Sequence, residues 1–277
     1  MSKYTLPFLE IMITQDCNLN CLGCSNYSDL PHNGYLKWKD GKKNIQKWLQ
    51  RVDILDFSIM GGEPLLNPEV NDWLIGTREL LPNAQIRFTT NGLLLHRHFD
   101  IINLMHDLGN ISFKVTVHKE SKVLTETINK IFNLYKWETV CEYGIERYIT
   151  SNNFRFHVKR PTTFVKTYRN SYTDMLPWKS NYISAFENCV QQTCPLIVND
   201  TMYKCSTSGL LESTLNQLGN PNIEQWKEYI PNGIGPDCSD NELEEFLENF
   251  GKPNYICSQC PDKHSNDFEI DHLSTVN

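Results

Sequence analysis

Cys17-Asn18-Leu19-Asn20-Cys21-Leu22-Gly23-Cys24 places three thiols in a C-x3-C-x2-C spacing. They cannot all pair as disulfides inside the motif, and they stand too close together for an ordinary structural role. Thiolates gathered this tightly are soft ligands for an iron–sulfur cluster or for zinc. Three is the informative number: a cubane cluster held by only three cysteines keeps one iron open to another ligand.

The flanking chain reads as alternating strands and helices. Phe8 to Thr14 predicts a buried strand that delivers the chain to the cysteine loop. Lys43 to Val52 has helical character, and Ile54 to Met60 predicts a second strand leading into Gly61-Gly62-Glu63-Pro64. Asn67-Pro68-Glu69 opens a helix with the apolar positions Val70, Trp73, Leu74, Leu80 and Leu81. Gln85 to Thr90 is a third strand ending at Asn91-Gly92, and a helix over Asp100 to Leu108 is closed by Gly109. Ile111 to His118 is a strand, Val123 to Trp137 a helix, and two more strands are expected within Thr139 to Thr150 and Asn153 to Lys159. Such alternation points to parallel strands joined by right-handed crossovers.

From about Pro161 the alternation is lost, and residues 161 to 193 read as a linker with short helices. The domain boundary falls between residues 165 and 185, giving a core over 1–170 and a linker with a cysteine-rich appendage over 171–277.

Composition narrows the class. The 277 residues are 40% hydrophobic, enough for one large α/β domain with an appendage. No apolar run approaches the roughly 20 residues of a membrane span, and no signal peptide is evident. Ten cysteines in so long a chain, with close C-x2-C pairs, argue for metal binding in a reducing cytosol. A net charge of −7 argues against non-specific binding to nucleic acid or anionic membrane.

The three-cysteine motif after an N-terminal strand resembles the radical S-adenosylmethionine (SAM) superfamily. The resemblance implies an α/β partial (β/α)6 barrel and a [4Fe–4S] cluster held by Cys17, Cys21 and Cys24. It also implies SAM bound at the open iron and cleaved to a 5′-deoxyadenosyl radical that takes a hydrogen atom from substrate. Gly61-Gly62-Glu63-Pro64 resembles the motif whose backbone and Glu hold the SAM amino group, and a carboxylate suits an ammonium; alone, it also reads as a turn before a helix. Thr90-Asn91-Gly92 resembles a further SAM-side segment, with an ordinary strand-end turn as its bland reading. One departure stands out: the residue before the third cysteine is often aromatic in the superfamily, and here it is Gly23.

The tail carries Cys194, Cys205, Cys257 and Cys260, with Asn199-Asp200 as a turn between two short strands. The layout resembles a Twitch/SPASM-like domain and implies one auxiliary [4Fe–4S] cluster in a domain with a β-hairpin. Structural zinc suits the same four thiols. Cys189 is the substitute ligand if one of the four is not used, Cys238 is unassigned, and Cys141 reads as a buried apolar thiol.

Strand alternation sends Arg87, Lys114, His118, Arg155, His157 and Lys159 to the polar face of the sheet. That cationic set predicts a small anionic substrate, and edge strands whose basic residues meet solvent are the equal alternative. The resemblance then implies a two-electron oxidation assisted by the auxiliary cluster, with flavodoxin or ferredoxin as electron donor. Modification of a ribosomally made peptide is the second reading, although no leader-binding module precedes the first strand in these residues. A non-enzymatic iron–sulfur carrier or sensor is a third, and it leaves the Gly-Gly-Glu-Pro motif unexplained.

Overall fold

Short apolar segments open the computed structural model, which describes residues 4–21, 23–30, 32, 34–142, 145–161, 165–230 and 233–263. Strand β1 (Tyr4–Leu6) is followed at once by β2 (Leu9–Met12), buried on both faces. Helix α1 (Trp38–Leu49) leads to β3 (Val52–Ile54) and β4 (Asp56–Met60). Then come α2 (Val70–Leu80), β5 (Gln85–Thr90), α3 (Asp100–Leu108), β6 (Ile111–Thr116) and α4 (Lys122–Leu134). Ser121 caps α4 by accepting from the Leu124 N–H, while Leu124, Ile128 and Ile131 turn its apolar face to the sheet.

After α4 the chain departs from the expected alternation. β7 (Glu138–Glu142) and β8 (Ile145–Ile149) pair antiparallel, and β9 (Arg155–Lys159) then returns parallel to β6. Two residues between β7 and β8 cannot span the crossover that a parallel pair needs, so a hairpin is the result. The side chain of Cys141, in β7, lies outside the described residues.

The second half contributes α5 (Tyr182–Glu187), β10 (Leu196–Val198), β11 (Thr201–Tyr203), α6 (Ser206–Leu218) and α7 (Asp240–Asn249). The β10–β11 hairpin forms at Asn199-Asp200 as expected, but β10 also pairs in parallel with β2. The sheet therefore runs β11-β10-β2-β4-β5-β6-β9-β8-β7 and is mixed, with β11 and β7 at its ends among the described residues. Six strands of it are parallel, the sixth supplied by the C-terminal hairpin rather than by residues 139–150. Residues expected as a linker are core: Tyr168 and Met175 are fully buried with Trp226 and Leu215 in a second apolar cluster. Among the described residues no helix is long and apolar enough to cross a membrane.

The two faces of the sheet differ as alternation requires. Ile86, Phe88, Phe113, Val115 and Phe156 pack beneath the helices. The opposite face carries cross-strand rows: Glu10, Ser58, Arg87, Ser112 and Arg155 in one, then Met60, Thr89, Lys114 and His157 in the next. Asp56 pairs with Arg87 at the N-terminal end of the strands, and the Arg87 guanidinium also lies 4.9 Å from the centre of the Phe8 ring.

Helices α1 and α2 meet through glycines. A Cβ on Gly41 would lie 2.0 Å from the Trp73 ring, and one on Gly76 would lie 2.1 Å from Trp38. The two tryptophans meet edge to face at 5.1 Å. Gly76→Ala is expected to cost about 1–3 kcal/mol by overpacking, despite the better helix propensity of Ala, and urea unfolding measures it.

Glu10 supplies a pH-dependent prediction. Burial raises its carboxyl from 4.5 to about 8 against the attraction of Arg87 and Lys114. A carboxyl whose folded pKa exceeds its unfolded one costs stability increasingly as pH rises between those values, and by a constant amount above them. Glu10→Gln is expected to leave stability unchanged near pH 4 and to raise it at pH 8 by on the order of 1–3 kcal/mol. Urea unfolding of metal-free protein at the two pH values reads the difference.

Candidate active site

The cysteine loop is held against the end of β4 by backbone hydrogen bonds. The Ile13 N–H donates to Met60 O at 2.8 Å, the Gly62 N–H to Thr14 O at 2.9 Å and the Glu63 N–H to Asp16 O at 2.8 Å. Only glycine permits this approach. A Cβ on Gly61 would lie 2.6 Å from Thr14 O, and one on Gly62 would lie 2.4 Å from Asp16 O.

Glu63 ties this junction to the end of β5. It is fully buried. Its Oε1 accepts from Thr90 Oγ1 at 2.6 Å and from the Leu65 N–H at 3.0 Å, and its Oε2 accepts from the Asn91 N–H at 2.8 Å. Burial lifts its carboxyl to about 7, opposed by those three donors. Both oxygens are thus engaged within the protein, and Glu63 ties these loops together. Pro64 starts the short 3-10 helix Pro64–Leu66 and is buried beneath it. Asn91 Nδ2 donates to Asn18 Oδ1 at 2.7 Å and lies 3.8 Å from Cys17 Sγ.

These contacts bring the three motifs to one cavity of about 260 Å³, lined by Cys17, Cys21, Cys24, Gly61, Gly62 and Thr90, with Asn91, Lys114 and His118 at its wall. Burial pushes the Cys17 and Cys21 thiols up to about 12 and the Cys24 thiol to about 11. Nearby carboxylates push the same way: Glu63 at Cys17, and Asp29 at Cys21 and Cys24. Reactive cysteines need electropositive surroundings, and these have the opposite. They are suited to become thiolates only on a metal centre that supplies the positive charge. Among the described residues no three His, Cys, Asp or Glu side chains converge tightly enough to enclose a single ion.

A second cavity of about 440 Å³ shares Ser25, Lys114, His118 and Gln191 with the first. Its lining includes Lys114, Thr116, Lys159 and Arg160 from the ends of β6 and β9 together with Cys189, Cys205 and Cys260. Cys260 feels Cys205, Cys189 and Cys257, so these four thiols share one neighbourhood. Cys194 and Cys257 do not line the cavity, and Cys194 feels Glu10 first and then Cys189 and Cys205. Cys238 lies apart, with Arg51 bound to its carbonyl at 2.8 Å. Tyr27 bridges the two thiol groups. It stands three residues after Cys24 with φ of +54°, is fully buried, stacks on Tyr168, and lies near Cys260 and Cys205.

Of the expected substrate contacts, Lys114, His118 and Lys159 line the cavities, while Arg87, Arg155 and His157 do not. Arg87 and Arg155 belong to the lower cross-strand row, nearer the N-terminal ends of the strands, and Arg87 is engaged by Asp56. His157 shares the row of Lys114, and burial together with Lys114, Arg147 and Lys159 holds its imidazole below the usual range. Sequence reasoning missed Asp29, Arg160 and Gln191. Gln191 joins the cysteine loop to α6 by donating to Ser25 Oγ at 3.2 Å and Ser206 Oγ at 2.9 Å. Nothing local marks it, since its role depends on residues 166 positions away. The Gly23 departure also has a reason: its φ is +74°, and a Cβ there would lie 3.0 Å from the Lys166 backbone.

Comparison with known proteins agrees with this geometry. GTP 3',8-cyclase of Clostridium perfringens (strain 13) is 28% identical over 149 residues, 51% of this chain and 45% of that protein. GTP 3',8-cyclase of Rhodopirellula baltica is 31% identical over 93 residues, 32% of this chain and 26% of that one. The chain thus spans less than half the length of these curated relatives. BtrN, solved in complex with AdoMet and 2-DOIA, matches 96% of this chain and 98% of its own at a TM-score of 0.51 and 16% identity, a likeness of fold. The model of the radical SAM superfamily matches residues 11–154, more than half of the chain, and the chain belongs to that superfamily.

Proposed function

We propose that this radical SAM enzyme abstracts hydrogen from a small anionic substrate held by Lys114 and Lys159 beside the thiols of Cys189, Cys205 and Cys260. The observation that carries the reading is the pair of adjoining cavities, the second lined by both cations and a second set of thiols. With a [4Fe–4S] cluster and SAM bound, the centre would supply a 5′-deoxyadenosyl radical. Cys17, Cys21 and Cys24 would hold that cluster, and Gly61, Gly62, Thr90 and Asn91 would shape the adjoining SAM cavity.

The chain's own residues set the rest. Lys114 and Lys159 have no hydrogen-bond or ion-pair partner among the described residues, so both ammoniums are available to an anion. Lys114 is held below its usual range by burial and by Lys159, which a bound anion would relieve. Cys189, Cys205, Cys257 and Cys260 are the ligand set for an auxiliary cluster, replacing Cys194 by Cys189. Thiols spread around a cavity suit a cluster better than a lone zinc ion, which draws four sulfurs to about 2.3 Å. Such a centre beside the substrate fits a two-electron oxidation.

Iron and sulfide content distinguishes two clusters from a cluster plus zinc. Substrates deuterated at candidate carbons, a purine nucleoside triphosphate among them because relatives are named GTP 3',8-cyclase, are expected to pass deuterium into 5′-deoxyadenosine. Lys159 lines only the second cavity, and Lys159→Ala is expected to raise KM about 10-fold and leave substrate-free SAM cleavage intact. An unchanged KM would remove the anionic substrate from the reading.

A further inference from the structure

Lys204 is only 5% exposed, which is unusual for an ammonium. It connects the end of β11 to Cys205. Its Nζ donates to Lys252 O at 2.6 Å and to Phe250 O, and it lies 5.1 Å from the centre of the Phe186 ring. None of these partners carries a negative charge. Two carbonyls and a ring face fix the position of a cation without neutralising it, and a buried charge left uncompensated costs several kcal/mol.

The groups near enough to favour its charge are Cys257, Cys205 and Cys189. As neutral thiols they compensate it poorly; as ligands of a cluster they would carry net negative charge toward it. A second positive contribution comes from α6. Cys205 is its N-cap and makes no side-chain cap bond, so the sulfur stands at the positive end of a 13-residue helix. The surroundings of Cys17, Cys21 and Cys24 have the other sign, with Asp29 and Glu63 as the charges felt there.

We propose that Lys204 is a fixed cation that raises the reduction potential of the auxiliary centre, making it the acceptor of an electron within this fold. The inference rests on the two-cluster reading above. Its physical basis is that a positive charge in a medium of low dielectric favours the state carrying one more electron. Lys204 is a positioning residue here, acting on the centre through charge and touching no substrate.

Redox titration of the full chain, reconstituted with iron and sulfide and poised with mediators, tests this by electron paramagnetic resonance. Addition of SAM identifies the signal of the first centre, because only that signal responds. Lys204→Gln keeps a donor toward the two carbonyls and removes the charge; Lys204→Met removes both; Lys204→Arg keeps the charge. The midpoint of the auxiliary signal is expected to move negative in the Gln and Met variants and to stay near wild type in the Arg variant. The midpoint of the SAM-responsive centre should stay in place throughout. An unmoved or positive shift at full iron content overturns the proposal. Loss of the auxiliary iron in all three variants also overturns it, making Lys204 a strap for the 250–252 segment. Loss in the neutral variants alone, with wild-type potential in Lys204→Arg, supports the requirement for charge. Wild-type protein lacking auxiliary iron would instead refute the two-cluster reading, and iron analysis separates that result from an unmoved potential.

Discussion

One buried carboxylate governs the geometry of the site. Glu63 accepts donors from the segments that follow β4 and β5, while its own N–H donates to the loop that follows β2. Three successive parallel strands are thereby locked together at their carboxyl ends, where ligands bind in sheets of this kind. The cost is a desolvated acid, visible in a carboxyl raised to about 7. Such a cost persists because the alternative, three loosely tethered loops, would leave the three thiols without a platform.

Charge is graded along the polar face of the sheet. At the N-terminal ends of the strands Asp56 closes the Arg87 guanidinium into an ion pair against Phe8. One row higher, Lys114 reaches the cavities, and Lys159 joins it from the end of β9. The protein is acidic overall at −7, so this stripe is a local feature of strand alternation rather than of composition. Arg87 is thus satisfied low on the face, while Lys114 and Lys159 line the cavities at its top.

Local signals accounted for much of this arrangement, and distant ones for what was missed. The alternation in Ile86 to Phe88 and Ile111 to Val115 fixed the sheet faces, and Asp100 to Leu108 was readable as a helix to its last residue, because Gly109 closes it at φ +64°. The cysteine spacing and the two glycines were legible as motifs, although the reason for the glycines, the approach of Thr14 O and Asp16 O, lies far away in sequence. Position along a strand was not: Arg87 and Lys114 share a face, yet their distance from the cavity depends on register, which emerges only from pairing. The placement of Cys189 was equally hidden, since α5 and the turn after it carry it to the lining of the second cavity. Helix α6 escaped notice because Ser206, Thr207, Ser208 and Thr214 are buried beside its leucines, which blurs the apolar stripe. Helix α7 was marked all along by the capping box of Ser239 and Glu242.

The pairing of β10 with β2 has the largest consequence for how the halves work together. Glu10 lies opposite Leu196 in that register, and the Glu10 N–H donates to Pro195 O at 2.9 Å. The strand that feeds the first cysteine loop and the strand between Cys194 and Cys205 are therefore neighbours in one sheet. Tyr27 and Gln191 add side-chain ties between the same two regions. A hinge between a barrel and an appended domain would let the second set of thiols drift from the first. Here a backbone ladder joins the two regions, and the two adjoining cavities meet at Ser25, Lys114, His118 and Gln191.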